Sequence, residues 1–369
     1  MTAINGASGR TKIYGWVDPS VNYSTSSHYN SPVANDLYSN RFELNQFVLY
    51  VERLPNSVQR DHVDIGYHLT ALYGTDYRYT TDKGYMSSQL LDHNRQYGFD
   101  PSLEYVDIYI PQVAKGMNLR IGRYISIPGI EAQLSPNNYI FSHSLLYSID
   151  PFTDTGILGT VQLSDQWLAQ LGLTASHDVA PWTSDAQPSG TACVSYTTKS
   201  VNNNLYVCAN GINNAKYAYN NLQQYDATWY HKFSKTWHTA TEGYFMYQRD
   251  VPSVFSSIKP EANTNAAVCR PGLERCLAPE YAMVNYVQKE LSTHSFLSFR
   301  SDYLDDKKGQ RTGYNTKYSE NTLMFGHWFG STVQLRPEVR FDRAWDRKAY
   351  DRGRRQSQLT IASDLIFHF

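Results

Sequence analysis

The stretch VQLRPEVRFDRAW, residues 333–345, sets Val333, Leu335, Val339, Phe341 and Trp345 on one side of an extended chain, in company with Pro337 and Arg343. Gln334, Arg336, Glu338, Arg340 and Asp342 fall on the other side. Successive side chains of a strand point to opposite faces, so the segment reads as a strand with one apolar face and one charged face. In a soluble sandwich the charged face would meet bulk solvent; in a membrane barrel it would line water enclosed by the wall. The final residues, LTIASDLIFHF (359–369), repeat the pattern. Leu359, Ile361, Leu365, Phe367 and Phe369 alternate with Thr360, Asp364 and His368, and Ser363 is the one interruption on the apolar side.

Working outward, the same alternation recurs. Val63, Ile65, Tyr67, Leu69, Ala71 and Tyr73 oppose Asp64, His68 and Thr70; Leu297, Phe299 and Tyr303 oppose Ser298, Arg300 and Asp302; Tyr225, Ala227 and Trp229 oppose Gln224, Asp226 and Thr228. Fainter versions lie at 42–52, 103–110, 117–124, 157–163, 167–175 and 239–247. The connections alternate in length. Short polar breaks fall at 164–166, 234–236, 291–294 and 330–332, and long ones at 76–99, 127–154, 178–190 and 249–280. Short turns on one rim and long loops on the other are how outer-membrane barrels are built, with the turns periplasmic and the loops outside. A propeller would repeat a blade at a fixed period, and no such repeat is found.

Composition agrees with this reading and excludes others. Among 369 residues 18% are charged, the formal net charge is -1, and mean hydropathy is -0.51. No window approaches the ~20 consecutive apolar residues of a membrane-spanning helix, and the near-neutral charge gives no electrostatic case for nucleic acid. The 30 Tyr, 15 Phe and 7 Trp, 14% of the chain, suit the aromatic girdles of a transmembrane barrel. Sandwiches and propellers share that richness.

Four cysteines fall in two local pairs, Cys193 with Cys208 and Cys269 with Cys276. Local pairing in turn-rich segments fits disulfides formed in an oxidising periplasm, with free structural thiols as the alternative. Their spacing does not match zinc ligation, and no metal site or cofactor is expected. The strand count is 14 if 191–211 is an external hairpin and 16, the preferred number, if both halves span. In the second case Cys193 opposes Cys208, and Val194 and Tyr196 lie beside Leu205 and Val207 on a face suited to lipid. The first residues, Met1 to Gly6, carry neither a basic nor an apolar signal region. A barrel reading therefore requires that an export signal was removed before this sequence begins. Residues 1–11 are expected to be a flexible N-terminus and 12–369 a single barrel.

Four stretches, RFELNQFVLYVERLP (41–55), HLTALYGTDYRYTTDKGY (68–85), QYGFDPSLEYVDIYIP (96–111) and GMNLRIGRYISIPGIEAQLSPNNYIFSHSLLYSIDPFTDTGI (116–157), resemble the OmpL-like putative β-barrel porin-2 family. The resemblance is clearest over 41–157. It implies a porin-like fold in the bacterial outer membrane and transfers no solute and no catalytic residue. The class pattern also makes the terminal Phe369 a signal for the barrel-assembly machinery.

On this reading the pore-lining charges are Asp64, Asp226, Glu242, Arg300, Asp302, Arg336, Glu338, Arg340 and Asp342. Rings of one sign select ions, whereas mixed signs hold water or pair across strands and stiffen the wall. Weak ion selectivity is therefore expected. In porins a long loop can fold into the channel. Residues 127–154 are the candidate, with Glu131 or Asp150 facing a wall that bears Arg336 and Arg340; an external loop packed over the rim is the alternative. The eleven His show no ligand spacing, and no nucleophile elbow, zinc-protease motif or phosphate loop is present. The expected protein is an all-β, closed antiparallel transmembrane β-barrel, not an enzyme, that passes small hydrophilic solutes and ions through a water-filled lumen and can form a homotrimer. A β-rich outer-membrane or secreted hydrolase and a soluble all-β binding module are the competing readings.

Overall fold

The structure, a computed structural model, describes residues 9–261 and 264–369. Most of the expected flexible N-terminus, residues 1–8, lies outside the described residues. The described residues form sixteen strands: β1 (Lys12–Ser24), β2 (Phe42–Arg53), β3 (Asp64–Gly74), β4 (Gly98–Ile110), β5 (Met117–Ile125), β6 (Thr153–Gln162), β7 (Trp167–His177) and β8 (Ser189–Thr197) make the first half. The second half is β9 (Asn203–Ile212), β10 (Gln223–Ser234), β11 (Trp237–Pro252), β12 (Arg275–Glu290), β13 (Ser295–Asp306), β14 (Thr316–Phe329), β15 (Val333–Ala344) and β16 (Ser357–His368). Each pairs antiparallel with its neighbours in sequence, and β1 pairs with β16 to close the barrel. Closure leaves no unpaired strand edge, which is what allows a sheet to sit in hydrocarbon. At the seam Gly15 and Phe369 exchange both backbone hydrogen bonds at 3.0 Å, and the Phe369 ring stacks on Phe47.

β8 and β9 both belong to the wall, which decides the count at sixteen. In their register Cys193 opposes Cys208, Val194 opposes Val207, and Tyr196 opposes Leu205. Disulfides join Cys193 to Cys208 and Cys269 to Cys276. The second pins the long loop 253–274 to the start of β12.

Register explains the outside of the barrel. Tyr23, Ile361, Val339, Leu323, Phe299 and Val287 are successive lateral partners from β1 round to β12. Ile361, Val339, Leu323 and Phe299 are 42–54% exposed, on a protein whose interior-facing side chains are mostly buried. Such an exposed apolar belt on a closed sheet has the character of the band that transmembrane barrels turn outward.

Long and short connections segregate to opposite rims. One rim carries residues 25–41, 75–97, 126–152, 178–188, 213–222, 253–274, 307–315 and 345–356; the other carries 54–63, 111–116, 163–166, 198–202, 235–236, 291–294 and 330–332. The longest connection on the short rim is 54–63, held by Asn56 donating its backbone N–H to Asp64 at 2.7 Å. The sixth loop is shorter than the expected 249–280, because β11 and β12 are sixteen-residue strands that run on into it.

Candidate functional site: the inward loop and the charged inner wall

The inner wall of β13 to β16 is laid out in rungs. Gln358, Asp342, Glu320 and Asp302 are lateral partners, and the rung continues through Val284 to Glu242. One step nearer the short-turn rim run Thr360, Arg340, Thr322, Arg300 and Tyr286. An acidic rung thus lies on a basic one, and opposite charges meet diagonally between β13 and β14, two places apart along β15, and as direct lateral partners between β15 and β16. Arg300 Nε donates to Glu320 at 2.9 Å, Arg340 Nε to Asp342 at 2.9 Å, and Arg336 Nε to Asp364 at 3.0 Å.

These groups do not face open water. Arg300, Arg336 and Arg340 are at most 1% exposed, because residues 126–152 leave the long-loop rim and fold down into the bore. Charged groups withdrawn from water must be paired and hydrogen-bonded, and the loop backbone completes their pairing. Arg336 Nη1 donates to the carbonyl oxygen of Ser135 at 3.0 Å, and Arg340 Nη1 to that of His143 at 2.5 Å. Arg300 donates to both the carbonyl oxygen and the hydroxyl of Ser142. The wall carboxylates take the loop amides. Glu338 accepts from Ser142 N at 3.0 Å, Asp302 from Leu145 N at 2.8 Å, and Glu242 from Ile130 N at 2.7 Å. Gly129, with φ +111°, turns the chain so that Ile130 reaches Glu242; a Cβ there would come within 3.4 Å of the Glu242 carboxylate.

The loop also has apolar anchors. Ile140, Leu145, Leu146 and Ile149 pack against Tyr244, Met246, Val284, Tyr286, Leu304 and Met324 of the wall. On the opposite flank Leu134 joins Trp16, Val48, Leu72 and Ile366. Such an Ile- and Leu-rich sequence between two strands is unsuited to a solvated loop. That composition is the signal in the sequence that favours an inward path over an external one.

The expected contact between loop carboxylates and Arg336 or Arg340 is replaced by a different one. Glu131 turns back on its own loop, accepting from the Ser144 N–H at 2.9 Å and from the Ser144 hydroxyl. Asp150 accepts from Gln224 of β10 at 2.6 Å. The reason is geometric: the arginines are already neutralised by wall carboxylates, and their remaining N–H groups meet the nearest acceptors, which are backbone carbonyls. Asp64 stands apart from the cluster. It faces inward at the short-turn rim, held by Arg10 and by Arg53 at 3.2 Å. Asp226 is buried and lies next to Glu242, opposite Cys208 in the register.

Several residues of the site were not singled out in the sequence. Glu320 belongs to β14, whose alternation is masked because Lys317, Ser319 and Asn321 stand on its outer face near the long-loop rim. Asp18 accepts from the Ser135 hydroxyl at 2.5 Å, and Gln46 donates to the carbonyl oxygen of Gln133 at 2.7 Å. Both come from the β1–β2 side, where a register shift at Asp18 and Pro19 breaks the pattern.

Cavities lie on both sides of the loop. Toward the short-turn rim one of about 340 Å³ is bounded by Pro136 to Tyr139 of the loop and by Gln288, His294, Trp328 and Gln334 of the wall. Toward the long-loop rim a cavity of about 250 Å³ lies above Ser148, Ile149 and Phe152, and one of about 400 Å³ adjoins it at Ser31, Leu37 and Arg78. The loop is therefore the partition between two vestibules.

An anion-selective porin from Comamonas acidovorans superposes with a TM-score of 0.60 at 12% identity, covering 97% of this chain and 99% of that one. The outer membrane channel DcaP of Acinetobacter baumannii gives 0.58 at 10% identity over 97% of each chain. OmpT of Vibrio cholerae, in a trimer form, gives 0.56 at 8% identity over 97% of this chain and 99% of that one. At such identities the likeness is one of fold. No curated protein sequence matches the chain. The family described as "Putative beta-barrel porin-2, OmpL-like" matches residues 10–369, and the chain belongs to that family of β-barrel porins.

Proposed function

We propose that the protein is an outer-membrane channel for passive diffusion of small hydrophilic solutes and ions, with its aperture set by the inward loop 126–152. The observation that carries this reading is the loop itself: it stands between two vestibules and is held to the wall by Arg300, Arg336, Arg340, Glu242, Asp302 and Glu338. Family membership and outer-membrane relatives of the same fold support the bacterial outer membrane as its location. The apolar belt supplies its lipid contact. Transport by such a wall needs no covalent chemistry; width and wall polarity decide what passes.

Each wall arginine has a wall carboxylate beside it, and Glu242, Asp302 and Glu338 add acidic groups that accept from loop amides; all of these charges are buried beneath the loop, out of the solute's path, so ion selectivity is weak. The side of the bore away from this cluster is lined by half-exposed polar groups such as Asn118, Thr160, Gln170, Ser195 and Asn204. They offer hydrogen bonds without a charge preference. Assembly as a homotrimer belongs to the same reading, supported by the fold shared with OmpT in its trimer form; native mass spectrometry of the detergent-extracted protein tests it. Recognition of Phe369 by the assembly machinery is likewise proposed, because that residue closes the seam.

Planar-bilayer recordings test the reading directly. The wild-type barrel is expected to give discrete conductance steps with weak selectivity between K⁺ and Cl⁻, and Arg340→Ala to alter the step size by loosening the loop. A folded, inserted barrel that gives no steps, in wild type and variant alike, would refute it.

A further inference from the structure

The arginines at the long-loop rim are arranged differently from those of the wall. Arg78, Arg311 and Arg352 line the two cavities above the loop, of about 250 and 400 Å³, and Arg78 borders both. No carboxylate belongs to either lining. Arg78 donates to the Tyr38 hydroxyl at 3.0 Å and to the carbonyl oxygens of Thr75 and Arg95 at 3.2 Å. Arg311 donates to the Ile149 carbonyl oxygen at 2.7 Å and to Asn220 Oδ1 at 2.9 Å. Arg352 lies 4.5 Å over the Tyr29 ring. These hydrogen-bond and ring partners are neutral, although the buried carboxylates of Asp150 and Glu280 lie close enough to Arg311 to interact with it through space. On the wall, by contrast, Arg123, Arg300, Arg336 and Arg340 each have a carboxylate in direct contact.

Carboxylates do stand behind Arg78, namely Asp36, Glu43 and Asp76, in a separate enclosed space. They are occupied by other donors: Asp76 by Asn35 and Gln46, both at 2.9 Å, Glu43 by Gln96 at 2.8 Å, and Asp36 by Asn22. The rest of the lining combines apolar and aromatic side chains, among them Val33, Leu37, Leu90, Phe152 and Tyr314, with the small polar Ser31, Asn94, Ser148 and Thr312. Guanidinium forks match carboxylates in geometry as well as charge, and an apolar wall beside them suits a ligand with an apolar body. An inorganic anion would gain nothing from that wall. The combined space falls in the ~300–1,000 Å³ range of small-molecule sites.

We propose that the long-loop rim holds a binding site for small organic monoanions, a carboxylate carried on an aromatic or aliphatic body, with Arg78, Arg311 and Arg352 as the anion-binding side chains. The proposal rests on the channel reading for its purpose, since the site would concentrate such solutes at the outer entrance. Its test does not need conduction. Purified barrel in detergent is titrated with benzoate, with benzyl alcohol as the uncharged counterpart and inorganic phosphate as the anion without an apolar body, and binding is followed by calorimetry.

Benzoate is expected to bind saturably and at least about tenfold more tightly than either control, the worth of one charge-assisted hydrogen-bond pair. Arg352 is exposed and rests over the Tyr29 ring away from the inward loop, so Arg352→Gln is expected to leave the barrel folded and to weaken benzoate several-fold. Arg78→Lys, which keeps the charge and loses the fork, is expected to weaken it as well. Equal binding of benzoate and benzyl alcohol, an unchanged benzoate affinity in both variants, or no saturable binding would each overturn the proposal. A barrel that conducts but does not bind benzoate removes this site alone; one that binds benzoate but never conducts removes the channel reading.

Discussion

Arg300 on β13 donates from Nη2 to the Ser142 hydroxyl of the inward loop at 3.0 Å, while its Nε is held by Glu320 on β14 at 2.9 Å. One side chain thus belongs both to the stiffness of the wall and to the position of the loop. Losing it leaves Glu320 buried without the cation that contacts it and leaves the Ser142 hydroxyl with only the longer donor, Arg340 Nη1 at 3.3 Å. Breaking a buried pair from one side costs roughly 3–5 kcal/mol. Arg300→Met is expected to lower the temperature at which the barrel loses its compact, heat-modifiable form on gels, and to give larger, noisier bilayer steps. Steps of wild-type size and noise would show that Ser142 does not depend on this anchor.

The loop amides provide a gentler test. Ser142 N donates to Glu338 at 3.0 Å. Glu338→Gln keeps an acceptor oxygen at that place, so its conductance should stay near wild type. Glu338→Ala removes the acceptor and leaves a buried N–H unpaired, at a cost of about 1–3 kcal/mol, and should raise conductance. Identical behaviour of the two variants would mean that charge, or nothing at this position, governs the loop.

The outward belt predicts a different kind of sensitivity. Val339 is 48% exposed between Ile361 and Leu323. An arginine near mid-membrane on the lipid face of a barrel costs about 2–4 kcal/mol. Val339→Arg should therefore fold poorly into lipid vesicles, and a denaturant titration in vesicles should show the loss. An unchanged midpoint would place Val339 out of contact with hydrocarbon.

The Cys193–Cys208 bridge spans a sequence separation of 15 between strands already in register. A loop of that size is worth at most about 3 kcal/mol of unfolded-state entropy. The double variant Cys193→Ser, Cys208→Ser should still form the barrel and should unfold at a lower temperature, as should the wild type under reductant. If reductant shifts the wild type and the double variant equally, the bridge is not what responds.

How far the sequence could be read varies from strand to strand, for a physical reason. Where the inner face meets polar groups, as in β3, β10 and β15, alternation between Ile65 and Asp64, Ala227 and Asp226, or Val339 and Arg340 is plain, and the strands are legible. In β12 the inner face carries Ala282, Val284 and Tyr286, because the loop covers it with Leu145 and Leu146. Both faces are then apolar, and the period of two disappears. β1 is obscured in the same way by Trp16, which packs on Leu134 of the loop. The candidate charges were legible as an inward-facing set, but their partners were not. Strand alternation fixes which way Arg336 points and says nothing of what comes to meet it.

The amino-acid sequence alone determined a closed wall of alternating strands and the sorting of long and short connections to opposite rims, because these follow from a side-chain period of two and from turn length; it left fourteen strands beside sixteen, and the opposition of Cys193 to Cys208 belonged to the preferred sixteen. Tertiary structure alone decided that residues 126–152 go down the bore, that wall arginines bind their backbone carbonyls, and that Arg78, Arg311 and Arg352 gather at one rim. Such contacts join segments more than a hundred residues apart, and only the closed circle of strands brings them within hydrogen-bond reach.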